Sequence, residues 1–156
     1  MIIELMLNWR DMTLDVDPGA NLLQALRDVG CFSVKTGCES GDCGSCTVLL
    51  NGEPVNACVV AAGRVQGMAV TTLEGLLDDP LMQELQTALV DSGAVQCGYC
   101  SPGMLISLYA RMKEEGTPPD EHEIRHALTG NLCRCTGYVK PVEAALDVAG
   151  RLGGRS

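Results

Sequence analysis

Eight of the nine cysteines in this 156-residue chain fall into two groups of four, and no other feature restricts its fold so strongly. The first group is Cys38-x4-Cys43-x2-Cys46, followed after eleven intervening residues by Cys58. The second is Cys97-x2-Cys100 together with Cys133-x-Cys135. Aromatic residues make up only 3 % of the chain, a thin supply of large core fillers. A chain this small and this rich in cysteine should be held partly by disulfides or by metal.

Metal or redox chemistry fits better than a disulfide framework. Nine is an odd count. Residues 1–7 are apolar but short, and they carry neither a basic segment nor a small-residue cleavage site. No run approaches the roughly 18 apolar residues of a membrane span. The expected setting is therefore the reducing cytoplasm, where thiols stay free. The formal net charge of −9, spread over both halves, argues against nucleic acid or an anionic membrane as partner. A mean hydropathy of +0.13 points to surface buried against other subunits.

The first half reads as strands with one helix. Residues 2–7 and 12–16 are strand-like, with Met12, Leu14 and Val16 alternating with Thr13 and Asp15. Asn21 is placed to cap a helix carrying Leu22, Leu23, Leu26 and Val29, which Gly30 can close. Residues 37–46 are a Gly- and Cys-rich loop. Residues 47–50, the turn Asn51-Gly52 and residues 55–60 form a hairpin, and 68–72 a last strand. The second half reads as four helices. They start at Asp79-Pro80, Ser101-Pro102, the Asp120/Glu123 capping box and Pro141, and the third ends at Gly130. The boundary is expected near 73–80, giving domains 1–76 and 77–156.

The first cysteine group has the spacing of a plant-type ferredoxin site for a two-iron, two-sulfur (2Fe-2S) cluster. Three thiolates come from one loop, and the fourth is expected from the strand after the hairpin. Gly37, Gly41 and Gly44 let the backbone close tightly and turn N–H groups inward, which suits an anionic cluster. A zinc loop is the bland alternative, but zinc sites favour paired knuckles. In the second group, Cys97 and Cys100 precede a helix start, where free N–H groups favour negative charge. Cys133 and Cys135 are two apart and cannot share a helix face, so they belong to a loop. Spacing alone leaves this group open between zinc and iron–sulfur.

Four stretches, taken together, resemble the small iron–sulfur subunit of the molybdenum hydroxylases, the xanthine dehydrogenase, aldehyde oxidoreductase and carbon monoxide dehydrogenase family. They are Ser33-Val34-Lys35-Thr36-Gly37-Cys38, Gly41-Asp42-Cys43-Gly44-Ser45-Cys46-Thr47, Gln96-Cys97-Gly98-Tyr99-Cys100-Ser101-Pro102-Gly103 and Gly130-Asn131-Leu132-Cys133-Arg134-Cys135-Thr136-Gly137-Tyr138. The resemblance implies an α+β chain, a β-grasp ferredoxin domain followed by a four-helix bundle, each with one 2Fe-2S cluster. It implies Cys38, Cys43, Cys46 and Cys58 as ligands of one cluster, and Cys97, Cys100, Cys133 and Cys135 of the other. It also implies a large partner subunit with molybdopterin, expected as the cytosine dinucleotide, and a medium subunit with FAD, arranged as a dimer of heterotrimers. Electrons would run from the pterin through the helical-domain cluster and then the ferredoxin cluster to FAD. Gln96 would contact the pterin beside Cys135. The expected substrate is a purine or other N-heterocycle, or an aldehyde. A zinc-stapled interaction module and a stand-alone two-cluster ferredoxin are the competing readings.

The resemblance breaks at the first hairpin, where Asn8-Trp9-Arg10-Asp11 stands in place of the family's frequent Asn-Gly, so the turn geometry does not follow from it. Ser101 replaces a frequent Thr, and either hydroxyl could cap a helix. His122-Glu123-Ile124-Arg125-His126 matches the zincin pattern, but Ile124 and Leu128 should face the core and leave both histidines in solvent. Cys31 reads as a small buried hydrophobe, Tyr99 and Tyr138 as shields for the second group, and Met104 and Met112 as core or interface.

Overall fold

The computed structural model describes residues 1–154. Strand β1 (Ile2–Leu7) turns Ile3, Leu5 and Leu7 inward and Ile2, Glu4 and Met6 outward, the period of two of a half-buried strand. It pairs antiparallel with β2 (Arg10–Asp15), with Leu7 opposite Arg10. The link is a two-residue turn with positive φ at both positions, 50° at Asn8 and 67° at Trp9. That is the type I′ pattern, whose twist suits a hairpin. The tight turn thus survives without glycine. Asn8 Oδ1 accepts from the Thr72 amide at 2.8 Å, Asn8 Nδ2 donates to Thr72 Oγ1 at 3.0 Å, and Trp9 Nε1 donates to the Gly75 carbonyl at 2.9 Å.

Helix α1 (Leu22–Asp28) opens with a reciprocal capping box between Asn21 and Gln24 and buries Leu22, Leu23, Ala25 and Leu26. Strands β3 (Thr47–Leu50), β4 (Glu53–Asn56) and β5 (Ala69–Thr71) complete a five-stranded sheet in the order β2-β1-β5-β3-β4. The β1–β5 pair is parallel and the others antiparallel. This is the β-grasp arrangement, with α1 across one face. The second hairpin strand is shorter than its sequence suggests. Because β3 begins at Thr47, the partner strand has nothing to pair with beyond Asn56, and Ala57–Val59 coil into a 3₁₀ turn. Cys58 therefore sits on that turn and not on a strand.

Four helices follow: α2 (Pro80–Asp91), α3 (Ser101–Lys113), α4 (Glu121–Ala127) and α5 (Val139–Gly153). Asp79 caps α2 by accepting from the amides of Leu81 and Met82, and Asp120 with Glu123 forms the capping box of α4. Helix α4 stops before Gly130 because Thr129 folds back, its amide and hydroxyl both donating to the His126 carbonyl. Helix α5 starts before Pro141, which occupies a first-turn position where a missing N–H costs nothing. Neighbouring pairs α2–α3, α3–α4, α4–α5 and α5–α2 pack together, closing a four-helix bundle.

Each half has its own core. Leu5, Leu22, Leu26, Val34, Val48 and Val70 fill the space under the sheet, and Met82, Leu85, Leu108, Ile124, Val142 and Val148 fill the bundle. A fully buried leucine such as Leu26 contributes about 1.5–3 kcal/mol. Leu49 of β3 faces the bundle core, and α3 lies against β3 and β4.

Candidate iron-sulfur centres

The loop between α1 and β3 wraps around the thiol of Cys38. The amides of Ser40, Asp42 and Cys43 all donate to its Sγ, at 3.4, 3.3 and 3.3 Å. With the Ser40 hydroxyl as the largest contribution, these bonds lower the Cys38 pKa to about 6. Positive φ at Glu39 and Gly41 turns the amides toward one point, forming an anion-binding concavity. Gly37 has no room for a side chain, since a Cβ there would lie 2.5 Å from Cys43 Sγ. Asn56 holds the loop from outside, its Nδ2 donating to the Gly41 carbonyl at 2.7 Å.

Cys46 and Cys58 are buried, and their thiols interact with each other. Burial, with added repulsion from Cys58 and Cys43, pushes the Cys46 thiol up to about 12. Cys38 is exposed and Cys43 half-buried, so the first group has a buried edge and a surface edge.

The second group is divided in the same way. Cys100 is the residue at the start of α3, with its carbonyl accepting from the Met104 amide, so its thiol stands at the positive end of that helix. The hydroxyl of Ser101 does not cap the helix, contrary to the sequence expectation. Cys100 pairs with Cys133, and burial followed by that contact pushes Cys100 up to about 12. At Cys133 burial works against the thiolate but is outweighed by the hydroxyl and amide of Thr136, the Cys135 amide and the Cys100 thiol, so its pKa is lowered. Cys135 pairs with Cys97, whose thiol raises it, and both are exposed. Gln96 lies at this same edge, its Nε2 donating to the Cys135 carbonyl at 3.2 Å.

Among the described residues, no three Cys, His, Asp or Glu side chains converge on one point as ligands of a single ion do. Three thiol contacts are pairwise: Cys46–Cys58, Cys100–Cys133 and Cys97–Cys135. A four-thiolate 2Fe-2S cluster has two irons to be shared among its ligands, so paired thiols, inward amides and a glycine cradle fit such a group. Thiolates also exclude hard cations.

The two groups meet. The Leu132 amide donates to the Cys43 carbonyl at 2.9 Å, and Asn131 Nδ2 donates to the Gly44 carbonyl at 3.1 Å. A Cβ on Gly44 would lie 2.1 Å from the Gly130 carbonyl, and one on Gly103 would lie 2.2 Å from the Gly44 carbonyl. Tyr99 adds a second strap, its hydroxyl donating to the Thr36 carbonyl. It is an exposed tie between loops and not the shield its position suggests. Tyr138 is half-buried; its hydroxyl accepts from the Cys133 amide and donates to the Asn131 carbonyl, both at 2.8 Å.

Other singled-out residues stand apart from these centres. His122 and His126 are exposed, Cys31 is buried at 6 % exposure, and Met104 is in the bundle core. Sequence reasoning gave no role to Asn131, Thr47 or Gly103. All three lie inside the motifs that carry the resemblance, but their contacts across the seam are long-range and leave no local signal.

The fold and the two thiol groups define a two-centre iron–sulfur electron carrier. Residues 5–72 match the family described as the 2Fe-2S iron-sulfur cluster binding domain, and residues 72–146 that described as the 2Fe-2S binding domain. The nicotinate dehydrogenase small FeS subunit of Eubacterium barkeri is 45 % identical over 148 residues, covering 94 % of this chain and 93 % of that one. The xanthine dehydrogenase iron-sulfur-binding subunit of Escherichia coli O157:H7 is 42 % identical over 146 residues, covering 93 % and 92 %. A chain of quinoline 2-oxidoreductase from Pseudomonas putida 86 superposes with a TM-score of 0.90 at 36 % identity, covering 100 % of this chain and 97 % of that one. The chain belongs to the small iron–sulfur subunits of the molybdenum hydroxylases, and its two domains are of the kinds that bind 2Fe-2S clusters.

Proposed function

We propose that Cys38, Cys43, Cys46 and Cys58 hold one 2Fe-2S cluster and Cys97, Cys100, Cys133 and Cys135 the other, in domains divided at residues 76 and 77. Bound there, each cluster stores one electron at a time. The chain takes electrons from the molybdopterin centre of a large subunit at the Gln96–Cys97–Cys135 edge and passes them to FAD in a medium subunit from the first centre. The observation that carries this reading is the seam. Cys43 and Leu132, the neighbour of Cys133, are joined by one backbone hydrogen bond, giving a continuous path of bonded atoms between the two groups. Gln96 supports the entry edge, because its amide both donates and accepts and stands exposed beside Cys135.

The relatives' names contain nicotinate, xanthine and quinoline, all N-heterocycles, and also aldehyde, so the substrate class proposed for the complex is an N-heterocycle or an aldehyde. A dimer of heterotrimers in the cytoplasm completes the proposal; among the described residues no helix is long and apolar enough to cross a membrane. The test is metal analysis with EPR of the reduced protein. About four irons and four labile sulfides per chain are expected, with two distinct signals. Cys58→Ser should remove one signal and leave the other. Stoichiometric zinc without colour, or a variant that keeps both signals, would sink the ligand assignment.

A further inference from the structure

The side chain of Asn131 is 2 % exposed, one of few buried polar residues in the chain. It belongs to the second cysteine loop. Its amide N–H bonds to the Leu128 carbonyl at 3.0 Å, and its carbonyl receives the Tyr138 hydroxyl, which also holds the Cys133 amide. Its side chain crosses to the first loop, where Nδ2 meets the Gly44 carbonyl at 3.1 Å and Thr47 Oγ1 at 3.4 Å. The Gly44 carbonyl also takes the Thr47 hydroxyl at 2.7 Å and the Thr47 amide at 3.2 Å, so it is a fixed target. Glycines at 44 and 103 leave room for this contact, since a Cβ at 44 would lie 2.7 Å from Asn131 Nδ2 and one at 103 would lie 2.2 Å from the Gly44 carbonyl. Asn131 is the side chain that spans it, one residue from the Leu132–Cys43 bond.

We propose that Asn131 is a positioning residue for electron transfer between the two centres. This rests on the ligand assignment above. One electron leaves the centre at Cys97, Cys100, Cys133 and Cys135, which is oxidised, and enters the centre at Cys38, Cys43, Cys46 and Cys58, which is reduced. No bond is made and no proton moves. Electronic coupling falls steeply whenever a hydrogen bond on the path opens into a gap. By anchoring Gly44, Asn131 keeps the adjacent Cys43 carbonyl on the Leu132 amide.

The experiment is pulse radiolysis of the anaerobic holoprotein, which injects one electron and follows its passage between the two centres by their visible absorption. Asn131→Leu keeps approximate shape and removes the donor, while Thr47 still satisfies the Gly44 carbonyl. The expected result is full iron content, unchanged g-values for each centre in EPR of the reduced variant, and a several-fold slower transfer between them. A transfer rate equal to that of the native protein would overturn the proposal. Asn131→Ala removes the same donor without branched bulk, so it decides the matter if Asn131→Leu loses iron. Iron lost in both variants would make Asn131 a residue of loop folding and also overturn the proposal. Failure of the ligand assignment looks different, since the native protein would then lack two iron–sulfur signals.

Discussion

Replacing Gly103 by alanine sets two effects of opposite sign against each other. Gly103 lies in the first turn of α3, and alanine is favoured over glycine within a helix by about 1 kcal/mol. Against this, the new Cβ would stand 2.2 Å from the Gly44 carbonyl oxygen and 3.2 Å from Asn131 Nδ2. Carbon and oxygen in contact sit at roughly 3.3 Å or more, so the seam must open by about 1 Å. The obstacle is backbone, already fixed by the Thr47 hydroxyl and amide, and cannot swing aside like the end of a long side chain. Overpacking of this kind costs about 1–3 kcal/mol. If the loop yields, the buried Asn131 amide loses its acceptor at about 1–3 kcal/mol more. The balance is a loss of about 1–5 kcal/mol after the helix gain, centred at about 3 kcal/mol. Urea unfolding of the anaerobic holoprotein, followed by far-UV circular dichroism, measures it. With a slope of about 1–3 kcal/mol per molar urea, the midpoint should fall by about 1–2 M. Gly150→Ala is the control, because Gly150 lies inside α5 with nothing within 4 Å of its added Cβ. It should gain about 0.5–1 kcal/mol. A midpoint for Gly103→Ala equal to or above the native one would show that helix propensity outweighs the seam, and the close-contact argument would fail.

Trp9→Gly should stabilise the first hairpin by about 0.5–1 kcal/mol, since relief of the left-handed backbone outweighs one exposed hydrogen bond to Gly75; a lowered melting temperature would contradict this. At Asp79, burial opposes the charge, but the Tyr109 hydroxyl, the Met82 and Leu81 amides and Lys113 outweigh it and hold the carboxyl below its ordinary value. Its contribution is thus present above the ordinary carboxylate pKa of about 3.9 and is lost as pH falls through the lower folded value. Asp79→Asn, which keeps a good cap, should make unfolding less steep in pH below about 4, and an unchanged profile would exclude Asp79 as a source of that slope. Gln96→Ala should leave both EPR signals intact and slow reduction by substrate in the assembled complex; unchanged rapid-reaction kinetics would count against a pterin contact.

Local patterns in the chain were enough to read most of this fold. Alternation showed β2, capping residues showed the starts of α1, α2 and α4, and Asn51-Gly52 showed the second hairpin, because each depends on neighbours within a few residues. Where the reading slipped, a distant contact decided. Residues 57–59 keep strand-like composition, but the ladder ends where β3 begins, so Cys58 rides a turn. Trp9 in a left-handed conformation is held by Gly75, and nothing near Trp9 announces that. The cysteine groups stood out because their spacing is one that metal chemistry imposes, and their role as ligands is the proposal above. The seam was not legible, because it is made of absent side chains and of an asparagine whose partner lies 87 residues away.

An electron carrier between two subunits faces opposed demands. Its centres must be dry enough for the protein to set their potentials, yet near enough to the surface to pass electrons on. On the proposed ligand assignment the thiols are sorted accordingly. Cys46 and Cys58 are buried, and Cys43, Cys100 and Cys133 are half-buried around the seam, whereas Cys38, Cys97 and Cys135 reach the surface. Close to the exposed second-group thiols in sequence lie Val95, Tyr99, Leu132 and Val139, each 38 % exposed or more. Apolar side chains beside a redox centre would leave it wet in an isolated chain, and a covering subunit would dry it while bringing its own cofactor close. The positive mean hydropathy of a chain with no membrane-spanning helix among its described residues thus finds a physical place at the edge where Gln96 stands. On the proposed arrangement, docking of the large subunit removes this apolar surface from water and shortens the electron's first step in the same event.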